Sequence, residues 1–397
     1  MNERELIVDI LYRVIHKGAY ASLLMRGVSH EKMGIVSETV YGTIRNFDLL
    51  ESQWRCLVKN VRKRTAVILD FSVYQLFFLD RVQPYTVINE AVSLAEKSEK
   101  KFVNAVLRQV QRRGLVMPEG DSDEELALRY SHPLFLVKMW KAQYGREQML
   151  KILASDQSRP VSYGRINRLK AGKQNPDGLE MVGEDAFIMR GSPAALPGFG
   201  EGKLLAQDLH SQQVVRLLAP LPGERILDLC AAPGTKTQQM ADLMHNEGEI
   251  IACDLYPARV KLIEELMERT GVTIVSAAVN DGTVFQPAFE NGFDRVLLDA
   301  PCSGLGDLAH KPEIRLHVKP EDLDAIQETQ RQLLANAARY VRPGGVLLYS
   351  TCTLNRKENE KQGEWLVKND RRFTLQEEVT LFPDKCDGFY AALLKKE

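Results

Sequence analysis

Two cysteines carry the first chemical signal. Asp299-Ala300-Pro301-Cys302-Ser303-Gly304-Leu305-Gly306 and Tyr349-Ser350-Thr351-Cys352-Thr353 each close an apolar run that reads as a β-strand. Structural cysteines more often lie inside a strand. Two thiols at successive strand exits, one beside a carboxylate, form a nucleophilic arrangement. Chemistry that needs this set is known in outline from the reactivity of cytosine. Its C5 is a poor nucleophile, but a thiolate adding to C6 turns C5 into an enamine carbon that can attack an activated methyl group. A proton or hydrogen bond at N3 helps, which suits Asp299. The C5 proton must then leave and the thiolate be expelled. One thiolate and one carboxylate are the minimum set, and a second thiol can assist expulsion. The thiolate needs a lowered pKa, which strand-exit donors or a nearby lysine can supply.

Three further signals fall at strand ends, where an open α/β sheet binds its ligands. In Leu227-Asp228-Leu229-Cys230-Ala231-Ala232-Pro233-Gly234-Thr235-Lys236-Thr237 a strand enters a small-residue turn and then a helix. Such a turn lets a ligand approach the backbone, and the helix start offers unpaired N–H groups. It is neither G-x-G-x-x-G nor a phosphate-binding loop, so a pyrophosphate cofactor is disfavoured. Asp254 ends the next strand, where a carboxylate accepts from ribose hydroxyls. Asn280-Asp281 follows the third, where an adenine amino group can be read. Any one strand-end aspartate is often just a helix cap, but together they point to an adenosyl cofactor without a pyrophosphate.

These residues need a scaffold. From residue 205 the pattern predicts strands over 225–229, 249–255, 273–278, 295–300, 345–350 and 388–394, and helices over 235–244, 257–270, 321–340 and 357–369. Near-continuous apolar strands with helical crossovers imply a parallel sheet covered on both faces, a Rossmann-like doubly wound domain. Residues 1–115 show a 3.6-residue apolar period and predict a bundle of five to seven helices. Residues 117–125 read as a polar linker. Short strands over 161–167 and 186–190 suggest a small α+β connector. The expected domains are 1–118, 125–200 and 201–397.

With 44% hydrophobic and 26% charged residues, each domain can build an ordinary core. No apolar run approaches the roughly 18 residues of a membrane helix, and no signal peptide is legible at Met1-Asn2-Glu3. A soluble, cytoplasmic protein is expected. Six cysteines, none in C-x-x-C spacing, argue against a disulfide framework and against structural zinc; no metal is expected. Cys56, Cys253 and Cys386 read as unreactive thiols, and Trp54, Trp140 and Trp365 as core or interface residues. His210 with Gln207-Asp208 borders the cofactor pocket or caps a helix. Residues 1–120 carry 18 Lys+Arg against 13 Asp+Glu, while the whole chain is at −1. The basic residues cluster at Arg55, Lys59, Arg62, Lys63 and Arg64, and at Arg108, Arg112 and Arg113. A basic module joined to an acidic one suits a nucleic-acid grip tethered to an enzyme.

Cys-Ala-Ala-Pro-Gly-Thr-Lys-Thr, Asp-Ala-Pro-Cys-Ser-Gly-Leu-Gly and Ser-Thr-Cys-Thr resemble the motifs of RNA cytosine-C5 methyltransferases. Val87-Ile88-Asn89-Glu90-Ala91 and Phe102-Val103-Asn104-Ala105-Val106-Leu107-Arg108 resemble the NusB-type RNA-binding fold. The combination resembles the RsmB (Sun/Fmu) family over nearly the whole chain. The resemblance implies an all-α NusB-like domain, a small connector and a Rossmann-like class I methyltransferase domain. It implies Cys352 as nucleophile, Cys302 assisting release, and Asp299 and Lys236 against a flipped cytosine. Cys230, Ala231, Ala232, Pro233, Gly234, Thr235, Lys236, Asp254, Asp281 and Asp299 would line an S-adenosylmethionine site. The implied partner is 16S rRNA, the implied target its cytosine 967, and the implied state a monomer. Thr235 departs from the family's glycine, and Asp307-Leu308-Ala309-His310-Lys311 stands where a pair of arginines is usual. Two other readings stay open: an RNA-binding assembly factor that keeps the fold, and a DNA methyltransferase using Cys302.

Overall fold

In a computed structural model, which describes residues 2–80 and 82–397, the basic N-terminal third is helical throughout. The helices are α1 (Glu3–Lys17), α2 (Ala21–Met25), α3 (His30–Arg45), α4 (Phe47–Arg55), α5 (Lys63–Phe78), α6 (Pro84–Leu94) and α7 (Lys100–Arg113). Local signals set their ends. Asn2 and Glu5 form a capping box at α1, which stops at Gly18 with φ 68°. Pro84 opens α6, where its missing N–H costs nothing. Every residue from Thr65 to Gln75 of α5 is buried, so this helix is the axis of the bundle. The one carboxylate in that stretch, Asp70, accepts from Trp54 Nε1 at 2.7 Å.

The chain divides into two compact units: residues 1–158 with 308–318, and residues 159–307 with 319–397. The expected connector over 125–200 is therefore split. Helices α8 (Asp123–Arg129) and α9 (Leu134–Gln157) belong to the first unit. Leu49 N–H of α4 donates to Ser131 Oγ at 3.1 Å, and Gln157 Nε2 donates to the Arg45 carbonyl at 2.9 Å.

The second unit opens with a four-stranded antiparallel sheet: β1 (Tyr163–Ile166), β2 (Glu180–Met181), β3 (Ala186–Ile188) and β4 (Leu204–Ala206), in the order β2-β3-β1-β4, with α10 (Arg168–Ala171) after β1. Next come α11 (Leu209–Leu218), β5 (Arg225–Asp228), α12 (Thr235–Leu243), β6 (Glu249–Asp254), α13 (Pro257–Thr270), β7 (Val275–Val279) and β8 (Phe293–Asp299). A short helix, α14 (Ile314–His317), lies in the segment that joins the first unit. The second unit then resumes with α15 (Pro320–Tyr340), β9 (Val341–Thr351), α16 (Glu360–Asn369), β10 (Phe373–Leu381) and β11 (Phe389–Lys396).

These strands form one seven-stranded sheet, ordered β10-β11-β9-β8-β5-β6-β7. Five are parallel, as expected; β11 and β10 run antiparallel, so the sheet is mixed. The alternation of side chains builds two cores. Leu227, Val296, Leu298, Leu347 and Tyr349 face Leu333, Ala337 and Leu366 of α15 and α16. Ile226, Leu297 and Leu348 face Val215, Met240 and Ile263 of α11, α12 and α13. Strand order reverses between β5 and β8, which opens a crevice beyond their carboxyl ends.

Candidate active site

The motifs of the sequence meet at that crevice. β8 and β9 are neighbours with Asp299 opposite Ser350. The loops that follow them bring Cys302 Sγ within 3.4 Å of Cys352 Sγ, and both thiols are free. From the next strand but one, the turn after β5 starts α12 and points Lys236 back across the edge. Lys236 Nζ donates to Asp299 Oδ2 at 2.7 Å and lies 5.3 Å from the ring centre of Phe389. Ser350 Oγ donates to Asp299 Oδ1 at 2.7 Å. The carboxylate thus has both oxygens occupied and a fixed orientation.

Electrostatics separate the two thiols. The hydrogen bond to Cys352, then burial, then the charge of Cys352, push the Cys302 thiol well above its ordinary range, and Glu358 adds to this. A Cys302 thiol held in this way keeps its proton beside the Cys352 sulfur. Burial pulls Lys236 down, but Asp299, Cys352 and Asp228 outweigh it and raise the ammonium above its usual value. Lys236 stays charged between the carboxylate and the sulfur. Burial also raises the thiols of Cys230, Cys253 and Cys386, the last to about 11, which suits inert roles for all three.

The cofactor loop is tightly held. Gly234 starts α12 at φ 100°, against Ile263 and Met267 of α13, where only glycine is unstrained. Ala231 N–H donates to the Cys253 carbonyl at 2.8 Å, and Ala232 N–H reaches Asp254 Oδ2 at 3.3 Å. Asp254 is buried, and its other contacts, from Tyr256 N–H and Arg259, are 3.4 and 3.3 Å long. Thr235 lines an open groove of about 450 Å³ with Pro233, Leu262 and Leu266, so a side chain has room at this position. Asp281 sits just beyond β7 but is exposed, and its Oδ1 closes a turn on Thr283 N–H and Oγ1 at 2.9 and 2.6 Å. Its neighbour Asn280 is buried with Nδ2 unpaired. Asp228, at the end of β5, is buried with Oδ1 unpaired; burial, offset by Thr237 and Lys236, pushes it up to about 7. Two orphaned polar atoms at the ends of β5 and β7, on either side of Asp254, fit a polar ligand laid across the strand ends.

Sequence reasoning passed over several residues that hold this edge. Asp228 was visible as the strand-end acid of Leu-Asp-Leu-Cys, and Ser350 as part of Tyr-Ser-Thr-Cys. Thr353 was visible as the last residue of Ser-Thr-Cys-Thr, whereas Glu358 and Gln330 carried no signal, because nothing in a lone glutamate ahead of a helix announces burial. Away from the crevice, a cavity of about 830 Å³ beside β1 and α12 is lined by charges already paired with one another, Arg165 with Asp242 and Arg168 with Asp185. In the first unit, Arg113 donates to the Gln53 carbonyl and to Cys56 Sγ, joining the two basic clusters at one end of the bundle. Arg55 and Arg62 are paired with Glu51 and Glu96. Lys59, Lys63, Arg64 and Arg112 stand exposed there.

A parallel five-stranded core with a crossover at β5, small-residue turns at its carboxyl edge and an antiparallel terminal hairpin defines a Rossmann-like methyltransferase domain, here joined to a NusB-type helical unit. The family described as 16S rRNA methyltransferase RsmB/F matches residues 215–395, and the NusB family matches residues 1–112. The chain is 35% identical over 387 residues to the probable ribosomal RNA small subunit methyltransferase B of Bacillus subtilis strain 168, covering 90% of this chain and 86% of that one. It is 30% identical to ribosomal RNA small subunit methyltransferase B of Vibrio cholerae, covering 100% and 98%. The crystal structure of PH0851 superposes with a TM-score of 0.84 at 25% identity, covering 100% of this chain and 99% of that one. A methyltransferase homolog protein from Pyrococcus horikoshii gives 0.61 at 26% identity, covering 70% and 100%. The chain belongs to the ribosomal RNA small subunit methyltransferase B family: it is an S-adenosylmethionine-dependent rRNA methyltransferase. Among the described residues, no helix is long and apolar enough to cross a membrane.

Proposed function

We propose that this enzyme methylates C5 of a cytosine in 16S rRNA, at position 967, through a covalent bond between Cys352 and C6. The observation that carries the reading is the pair of sulfurs 3.4 Å apart beside the Lys236–Asp299 ion pair. A protonated Cys302 hydrogen-bonds to the Cys352 sulfur without giving up its proton, and the Lys236 ammonium acts on that sulfur through its charge; both favour the Cys352 thiolate as nucleophile. The target base leaves its stack, since the reaction needs both faces of the ring. Asp299 and Lys236 hold its N3–N4 edge.

Cys352 Sγ bonds to C6 and makes C5 nucleophilic. S-adenosylmethionine supplies an electrophilic methyl group from a site built of residues 230–236, Asp254, Asp281 and Asp299, with Asp228 and Asn280 at its edges. Once Cys352 is bonded to C6, two of the causes that raise the Cys302 thiol, its hydrogen bond to Cys352 and the charge of Cys352, are gone. Its proton passes to water, and the Cys302 sulfur then takes the C5 proton. The C5–H electrons form the C5–C6 double bond, and the C6–S pair returns to Cys352. Both sulfurs end as they began, and one proton is released per methyl transferred. The basic end of the helical unit supplies phosphate contacts, and the enzyme acts as a monomer in the cytoplasm.

The test is transfer of labelled methyl from S-adenosylmethionine to unmodified small-subunit rRNA. Wild type forms 5-methylcytosine at one position, Cys352→Ala transfers nothing, and Cys302→Ala accumulates an RNA–protein adduct. An active Cys352→Ala variant would overturn the assignment. No transfer by wild type to naked rRNA or to immature subunits would favour an assembly factor instead.

A further inference from the structure

The two cysteines are held by different means. Cys352 follows directly on β9, whose last residues pair with β11 as Ser350 with Ala391 and Thr351 with Tyr390. Thr351 Oγ1 donates to Asn359 Oδ1 at 2.6 Å, and Asn359 Nδ2 donates to the Thr353 carbonyl at 2.9 Å. Cys352 is thus fixed by a strand and by hydrogen bonds on both sides. Cys302 lies three residues beyond β8 in a loop without regular structure. Farther along, Leu305 N–H donates to Thr353 Oγ1 at 3.2 Å and Gly306 N–H to the Cys352 carbonyl at 3.1 Å, but the residues next to Cys302 converge on one buried carboxylate. Glu358 Oε2 accepts from Ser303 N–H at 2.9 Å and from Gln330 Nε2 at 3.2 Å. Its Oε1 accepts from Ser303 Oγ at 2.6 Å and from Asn355 Nδ2 at 3.0 Å. Gln330 Nε2 also donates to the Pro301 carbonyl at 2.9 Å, and Thr353 Oγ1 bonds Ser303 Oγ at 2.7 Å. The residues on both sides of Cys302 are therefore tied to Glu358, directly or through one side chain.

The geometry points to Glu358 as the positioning residue that holds Cys302 over the C5 proton for product release, while contributing little to bond formation by Cys352. This rests on the reading in which Cys352 forms the adduct and Cys302 resolves it. Four donors on two oxygens require a carboxylate. A glutamine turns one acceptor into an N–H2 group that faces two of those donors, so the Ser303 loop must shift. Cys352, on its strand, keeps its place.

The measurement is the split between adduct formation and adduct breakdown in Glu358→Gln. It uses unmodified small-subunit rRNA and methyl-labelled S-adenosylmethionine, with adduct read on denaturing gels and free methylated RNA read by turnover. Expected is methyl transfer into protein-bound RNA within about threefold of wild type in a single turnover, with steady-state turnover down about tenfold or more and the adduct accumulating as in Cys302→Ala. Ser303→Ala, which removes one of the four donors and leaves the loop otherwise intact, should show the same split more weakly and serves where Glu358→Gln does not fold. Formation and turnover falling together in Ser303→Ala, or neither changing in a folded Glu358→Gln, overturns the role. The underlying reading fails separately: then Cys302→Ala gives no adduct and Cys352→Ala still transfers methyl.

Discussion

Gly306 sits where two backbone segments cross under the reacting sulfurs. Its N–H donates to the Cys352 carbonyl at 3.1 Å, and its carbonyl accepts from Gly388 N–H at 2.7 Å. A methyl group on this residue would lie 2.1 Å from the Gly388 oxygen and 2.9 Å from the Cys352 oxygen. Both are backbone atoms, so no side chain can swing away. The chain must separate, at an overpacking cost of about 1–3 kcal/mol and a loss of about 1 kcal/mol for each of two hydrogen bonds. Gly306→Ala should therefore destabilise this unit by about 3–5 kcal/mol, a large part of the roughly 5–15 kcal/mol that holds a domain together. Displacing Cys352 by about 1 Å should lower methyl transfer about a hundredfold. Gly363→Ala is the matched control: in α16 the nearest atoms to its new Cβ are Tyr390 Oη at 3.6 Å and Ala392 Cβ at 3.9 Å, both ordinary contacts. It should stabilise by about 0.5–1 kcal/mol through helix propensity. Hydrogen exchange read by mass spectrometry separates the cases, with β9, β11 and the 304–307 loop reporting on the site and α5 serving as reference. Wild-type protection and wild-type turnover in Gly306→Ala would refute the crossing argument.

Three further outcomes are expected. Asp228 is raised from 3.8 to about 7 by burial, so its neutral form stabilises the fold; that contribution is complete below pH 3.8 and is lost as pH rises through 7. Asp228→Asn should flatten the fall in urea midpoint between about pH 4 and 7, worth up to about 4 kcal/mol, and an unchanged slope would contradict the assignment. Arg315, buried in the first unit, donates to the carbonyls of Arg45, Tyr130, Ser131 and Asp156 at 3.2–3.3 Å. Arg315→Met leaves these groups short of donors and should cost about 3 kcal/mol or more, seen as faster exchange in α3 and α9. Replacing Lys59, Lys63, Arg64 and Arg112 together by glutamine should weaken rRNA binding and flatten its dependence on log salt by about 0.7 for each phosphate no longer neutralised; an unchanged slope places the RNA elsewhere.

The reacting edge was legible because its motifs are short, apolar strands ending in residues that have no place in a core. Cys302, Cys352, Asp299 and Asp254 could be assigned to strand ends from pattern alone, and the sheet brings their carboxyl edges together. The five parallel strands, β5 to β9, and their crossovers were legible for the same reason. β10 was not: Thr374-Leu375-Gln376-Glu377-Glu378 lies on an exposed edge strand with no apolar face to betray it. Nor was the placement of residues 308–318. Their partners lie about 150 to 290 positions away, as in Ala21 N–H to Glu313 Oε1 at 2.9 Å, and such pairings leave no local period. Asp281 combines two roles that a strand-end rule does not separate, since its Oδ1 closes a turn on Thr283 while the residue stands just beyond β7. Glu358 is a different case: a charged residue that reads as surface is buried because four donors converge on it.

The charge balance of the edge makes one demand that the sequence could only hint at. Asp299 and Glu358 stand beside the two thiols as carboxylates, which oppose a thiolate, one fixed at a strand end and the other in a buried network. Lys236 is the cation held between Asp299 and the Cys352 sulfur, and its raised pKa is the reciprocal of the stabilisation it gives to those anions. Lys236→Met keeps the length of the side chain against Phe389 and removes only the charge. The Cys352 sulfur should then react more slowly with iodoacetamide, by about tenfold at neutral pH, while Cys56, exposed in the other unit, reacts as before and calibrates the reagent. A Lys→Arg exchange should restore part of the rate, since charge rather than shape is at issue. Equal alkylation of Cys352 in wild type and Lys236→Met would mean that the hydrogen bond from Cys302 is enough by itself, and that Lys236 serves only to orient Asp299.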